Sequence, residues 1–253
     1  MLKILNIILG LSIASYAITI GSAYHAVDVA GKQRMYTQRM LKDYSMIGMN
    51  NSFSNPSEDL KNILSEFENH LQLLKNYTKD SIIKDKISKV EVLWLPTKKI
   101  LESKAKKESV EKLEKNLEEL LKISDEITKL FTEDIGKKSG EIVNISGRQR
   151  MLSQRMASLY MLKVWGVDDD MFKDKLESTM ALFKISLEQL KKSKLNSDKT
   201  EKLLIKVEKS FMFFEVMNRS SSKFIPTLIY KKSDDILKDM DAVTKLFVIA
   251  DKN

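Results

Sequence analysis

The chain has 253 residues, no cysteine, and 43 lysines and arginines against 35 acids, for a formal net charge of +8. The lack of cysteine excludes disulfides and thiolate chemistry, and the scarcity of glycine (8) and proline (3) excludes a loop-rich or collagen-like chain. Thirty-seven of the basic residues are lysines interspersed with acids along helical faces. That is the pattern of solvated surfaces rather than of a nucleic-acid footprint, so no nucleic-acid partner is expected.

Residues 1–23, MLKILNIILGLSIASYAITIGSA, carry one charge, Lys3, ahead of an apolar run over residues 4–20. Gly21, Ser22 and Ala23 place small residues where a signal peptidase inspects them, so the first expectation is a cleaved export signal. The alternative is an uncleaved inner-membrane anchor over residues 4–20, because such a run lies at the lower edge of a spanning helix. In both cases the remainder is expected in a periplasm.

A first helix is expected from about Tyr24 to Gly48 or Asn50, ended by NNSFSNPSED, in which Asn55 and Pro56 read as a cap and a first-turn proline. Leu60, Ile63, Leu64, Phe67, Leu71 and Leu74 give the second helix one apolar face. Ile83, Ile87, Val90 and Trp94 do the same for the third. Val110, Leu113, Leu117, Leu120, Ser124, Ile127 and Phe131 alternate by three and four, the seam of a bundle. IGKKSGE, residues 135–141, is the midpoint punctuation: a turn over residues 136–140 would lay the two motif helices side by side and parallel, whereas a helix running straight through would stack the two bundles end to end, and the glycines favour the turn. A fifth helix runs to about Trp165, a sixth is lined by Met171, Leu176, Phe183, Leu187 and Leu190, a seventh reaches about Phe224, and a last one covers residues 229–249. The fold class is therefore all-α: a duplicated antiparallel helical bundle of two four-helix modules, residues 24–138 and 139–253. WLPT at residues 94–97 resembles FIPT at 224–227 and suggests that the second half carries a longer hairpin.

GKQRMYTQRM at residues 31–40 returns as GRQRMLSQRM at residues 147–156, with seven of ten positions identical and an offset of 116. Five of the six arginines lie in these two decamers. Arginine is needed where a planar fork of donors must meet a planar acceptor. Gly31, Arg34 and Gln38 share one helical face, as do Gly147, Arg150 and Gln154. Glycine permits close approach of a second helix, and Met35 and Met151 flank the face with soft apolar walls. Two such faces brought together form a narrow pocket with two guanidiniums, to which a small planar oxyanion is complementary. Arg39 and Arg155 lie about 140° further round the helix, at about 100° per residue, and are expected to form ion pairs inside their own bundle. A helix-packing device with all arginines paired to acids is the competing reading.

These residues resemble the signature of the PilJ-type sensory domain, a helical extracytoplasmic module; the matching stretches are AGKQRMYTQRM (30–40) and SGRQRMLSQRM (146–156). The spacing Gly-x-x-Arg-Met-x-x-x-Arg is also similar to the P-box of nitrate/nitrite sensor histidine kinases, whose members hold the anion between motif helices at a two-subunit interface. The resemblance implies that Arg34 and Arg150 clamp an anion, nitrate or nitrite, beside Gly31 and Gly147. With two motifs in one chain, a single molecule imitates the dimer, and a homodimer stays open as well. The signal is expected to pass to a membrane receptor or histidine kinase partner. A non-binding periplasmic protein that docks a chemotaxis or two-component receptor is the alternative.

No catalytic residue, cofactor or metal site is expected. His25 and His70, the only histidines, lack a second ligand at metal spacing. Asp168, Asp169 and Asp170 read as a helix cap, and FMFFEVM at residues 211–217 reads as core or as a partner surface.

Overall fold

The computed structural model describes residues 19–135, 138–167, 170–219 and 225–250. The described residues form eight α-helices: α1 (Ala23–Gly48), α2 (Pro56–Tyr77), α3 (Ser81–Leu101), α4 (Val110–Ile135), α5 (Lys138–Trp165), α6 (Asp170–Lys191), α7 (Asp198–Arg219) and α8 (Pro226–Ala250). The export or anchor segment and Asp168 and Asp169 fall outside the described residues, except for the last residues before α1. Among the described residues no helix is long and apolar enough to cross a membrane.

Local chemistry sets most boundaries. Ser22 caps α1 by accepting from the His25 amide, and Asp80 caps α3 by accepting from Ile82 and Ile83. Pro56 opens α2 at its first turn, as expected, but Asn55 does not cap it through its side chain. Asn55 takes a left-handed conformation (φ 53°), and its carbonyl accepts from Glu58 and Asp59 instead.

The motif helices α1 and α5 form the centre. Asp28 meets Arg150, Gln38 meets Ser158 and Gly48 meets Trp165, so the two helices run parallel and in register. α4 lies antiparallel to α1, and α8 lies antiparallel to α5. The hairpins α2–α3 and α6–α7 cover the outer sides. α4 and α5 lie together and antiparallel, with Gly140 facing Thr132 and Ile135; residues 136 and 137 of the expected turn lie outside the described residues. One apolar cluster runs through both halves, including Phe67, Trp94, Phe131, Phe183, Phe211 and Phe247.

The two halves share one register. Gln33 donates to the Phe67 carbonyl and Gln149 to the Phe183 carbonyl, each 34 residues on. The hairpin helices match in length: α2 and α6 have 22 residues each, and α3 and α7 have 21 and 22. The second hairpin is therefore not elongated, contrary to the expectation drawn from WLPT and FIPT. Pro96 lies inside α3, whereas Pro226 opens α8, the counterpart of Val110 at the start of α4. Pro226 suits a first helical position because its missing N–H has no intrahelical partner there. One further inward expectation fails: Met171 is exposed, and its neighbour Phe172 is buried in its stead. In 211–217, Phe211 and Phe214 are core while Met212, Phe213 and Val216 face solvent.

A two-arginine centre between the motif helices

Arg34 and Arg150 are both buried, at 0 % and 1 % exposure. A Cβ placed on Gly31 would lie 3.3 Å from Nη2 of Arg34 and 3.7 Å from Nη2 of Arg150. On Gly147 it would lie 3.2 Å from Nη2 of Arg150 and 3.5 Å from Nη2 of Arg34. The two guanidiniums thus share the gap that the two glycines open between α1 and α5. Met35 and Met151 are buried beside them.

Two like charges in a dry gap need compensation. Arg34 Nη1 donates to Asp125 at 2.6 Å, and Arg150 Nη1 donates to Asp241 at 2.9 Å. Each acid comes from the antiparallel neighbour, α4 or α8, 91 residues after its arginine. Arg150 Nη2 has a second acceptor, Asp28 of α1, at 2.7 Å. Every one of these carboxylates also meets a lysine: Lys129 on Asp125, Lys245 on Asp241 and Lys32 on Asp28. Five cations against three carboxylates leave a local surplus of positive charge.

The carboxyls respond accordingly. Burial raises Asp28, but Arg150 and Lys32 outweigh it and hold the group at about 2. Asp125 and Asp241 are likewise lowered, against their burial, by Arg34 and Lys129 and by Lys245 and Arg150. Burial draws Arg34 down to about 10; Asp125 opposes this, and Arg148 and Arg150 add repulsion. Arg150 moves the other way: Asp28 and Asp241 overcome its burial and raise it. Both arginines remain charged at neutral pH.

The glutamines work one turn away. Gln38 donates to Glu118 at 3.1 Å and accepts from Ser158 at 3.2 Å, and Gln154 donates to the Ser233 carbonyl at 3.0 Å. They tie the motif helices to their neighbours and do not reach into the gap. Arg39 forms a two-pronged contact with Asp59 of α2. Arg155 donates to Glu118 at 2.9 Å; that acid belongs to α4 in the other half of the chain, so the expected ion pair forms between the halves and not within one. Beside Arg150 a cavity of about 400 Å³ opens, lined among others by Lys32, Met35, Arg39, Lys238 and Asp241.

Helical periodicity does not single out the three acids, because Asp125 and Asp241 pair across helices. A second repeat does mark two of them: DEITKLF at residues 125–131 and DAVTKLF at 241–247 keep the same offset of 116 as the decamers.

The chain matches the family described as type IV pili methyl-accepting chemotaxis transducer N-term, PilJ, over residues 21–120 and 134–210. It belongs to the PilJ family. The matched segments hold both copies of the motif, one in each, with Asp28, Arg34 and Arg150. Asp125 and Asp241 lie outside them, so the acids that close the centre come from the fourth helix of each half rather than from the matched PilJ segments. The family description is that of the sensory, N-terminal part of a chemotaxis transducer. No curated protein and no solved structure matches this PilJ chain significantly. Among the described residues no group of three or more His, Asp or Glu is placed to hold a metal ion.

Proposed function

We propose that this chain is a non-enzymatic, extracytoplasmic sensory protein that holds a small oxyanion, nitrate or nitrite, between α1 and α5 and passes the signal to a membrane receptor or histidine kinase. The observation that carries the reading is the convergence of Arg34 and Arg150 on the gap between Gly31 and Gly147. Two buried guanidiniums repel each other, and an anion between them relieves that repulsion while accepting paired N–H donors. Because α1 and α5 are joined across this gap by the Asp28–Arg150 contact, an anion that draws on either guanidinium alters how the two helices pack, and packed helices respond by small slides or rotations. Residues 1–23 supply the export signal or anchor in this reading, and residues 24–138 and 139–253 are its two modules.

One observation favours the second reading, a helical protein that docks a receptor without a ligand: all four arginines shared by the two motif copies, 34, 39, 150 and 155, already meet carboxylates. Thermal unfolding in nitrate, nitrite, chloride and sulfate separates the two. The oxyanion reading expects a midpoint that rises with the concentration of nitrate or nitrite beyond the effect of chloride at equal ionic strength. It also expects that rise to vanish in Arg34→Ala/Arg150→Ala. Equal midpoints in all four salts would favour the docking protein.

A further inference from the structure

The duplication provides an internal control for the two-arginine centre. Under the 116-residue offset, Arg34 corresponds to Arg150, Asp125 to Asp241 and Lys129 to Lys245, and each of these contacts is made twice. The offset predicts that Arg34 Nη2 should have an acceptor like the one Asp28 gives Arg150 Nη2. It has none: Nη2 and Nε of Arg34 are buried without a hydrogen-bond partner among the described residues. The reason lies in the sequence. The counterpart of Asp28 is Asn144, and the counterpart of Lys32 is Arg148.

The substitution changes the charge balance on one side only. Asp28 neutralises Arg150 and shares its carboxylate with Lys32 at 3.1 Å. Asn144 brings no charge, and its Oδ1 is itself buried and unpartnered. Arg148 adds a cation whose repulsion acts on Arg34. The Arg34 side therefore lacks one negative charge and one planar acceptor relative to the Arg150 side.

We propose that a single planar, singly charged oxyanion binds on the Arg34 side, in the place that the Asp28 carboxylate holds on the Arg150 side. Nη2 of Arg34 donates to it, as Nη2 of Arg150 donates to Asp28, and Asn144 and Arg148 complete its surroundings. Asp28 is the chain's own copy of the ligand. It leaves one ligand position per chain, where a symmetric dimer of single-motif chains would present two equivalent halves. This inference rests on the oxyanion reading above and adds to it the side, the stoichiometry and two residues. A carboxylate serves in the internal copy, so nitrate, nitrite and small monocarboxylates such as formate or acetate share the chemistry required, whereas sulfate does not.

Isothermal titration of the full protein with sodium nitrate, sodium acetate and sodium sulfate tests it. Wild type binds one nitrate or acetate per chain. Asn144→Asp supplies the missing carboxylate, loses that binding by at least tenfold and unfolds at the same temperature as wild type or higher. Asp28→Asn vacates the opposite position and raises the stoichiometry to two. Wild-type binding that survives Asn144→Asp unchanged, together with a stoichiometry of one in Asp28→Asn, overturns the inference while leaving the oxyanion reading in place. No heat from any of the anions with wild type contradicts both. The relative strength of nitrate and acetate separates an inorganic from an organic ligand.

Discussion

Asp125 and Asp241 stand in the same relation to the two motif arginines: each accepts from Nη1 of an arginine 91 residues before it, and each carries a lysine four residues on. The pairing locks α4 onto α1 and α8 onto α5 at the level of the glycines. Across the gap itself Asp28 accepts from Arg150, so the motif helices are joined by charge as well as by apolar packing.

The two arginines should not be equivalent in stability. Arg150→Met leaves Asp28 and Asp241 without their buried guanidinium, and removal of one partner from a buried ion pair typically costs about 3–5 kcal/mol. Arg34→Met strands one carboxylate, Asp125, instead of two, and it removes two donors that have no partner against one, Nε, in Arg150. Chemical denaturation should show Arg150→Met as the more damaging change by at least about 1 kcal/mol. Equal losses would contradict the asymmetry of the centre.

A second charged cluster sets an expected pH dependence. Asp43 is fully buried on α1, and Tyr230 of α8 donates to it at 2.8 Å. Lys42 lies 3.7 Å from the centroid of the Tyr230 ring and pairs with Asp234, while Arg39 pairs with Asp59. Burial, helped by the Asp59 carboxylate, raises Asp43 well above the ordinary range against the pull of Lys42 and Arg39. A carboxyl raised on folding contributes stability that is full below its unfolded value, about 4, and is lost as pH climbs toward its folded value. Asp43→Asn should therefore flatten the fall of stability over that interval while keeping an acceptor for Tyr230. Urea denaturation at pH 4, 6 and 8 checks this. A variant whose stability falls with pH as steeply as wild type would exclude Asp43 as its source.

The acid side has the opposite sign. Asp28 is held at about 2, so its contribution is present above the ordinary carboxylate value, about 4, and disappears as pH falls through about 2. Asp28→Asn should be less stable than wild type at pH 7 and should converge on it in strong acid. Denaturation midpoints that stay separated by a constant amount down to pH 2 would argue against this assignment.

At the far end of α1, Gly48 makes room for Trp165 of α5. A Cβ there would lie 2.0 Å from Cζ2 of the indole, which also packs edge-on against Tyr44. Gly48→Ala gains about 1 kcal/mol of helix propensity but forces the two helices apart, and overpacking of this kind costs about 1–3 kcal/mol. The expected result is a lower melting temperature, restored in Gly48→Ala/Trp165→Leu. A rise in the single variant would show that the helix ends are not held together by this contact.

Much of this was legible from residue order alone, for reasons that differ by element. The apolar faces of α2, α3 and α4 follow from spacing, since Leu60 to Leu74, Ile83 to Trp94 and Val110 to Phe131 are all inward as their periods require. The approach of Arg34 and Arg150 follows from the glycines three residues before them, which give the neighbouring helix room. The acids were not legible in this way. Asp125 lies next to Glu126 on a charged helix, and nothing within that helix says that one turns inward and the other to solvent; only the DEITKLF and DAVTKLF repeat carries that information. The similarity of WLPT to FIPT misleads because four residues with an internal proline can serve a helix interior or a helix start, and these two copies do one each.

The proposed oxyanion site lies in the gap between Gly31 and Gly147. A crystal structure of the protein grown with nitrate, compared with one grown with chloride at equal ionic strength, decides whether an anion fills it. Planar density is expected within hydrogen-bonding distance of Nη2 of Arg34, present with nitrate only, with Asp28 still on Arg150. Nitrate crystals with no density beside either guanidinium, and with the same carboxylate contacts as in chloride, would contradict it.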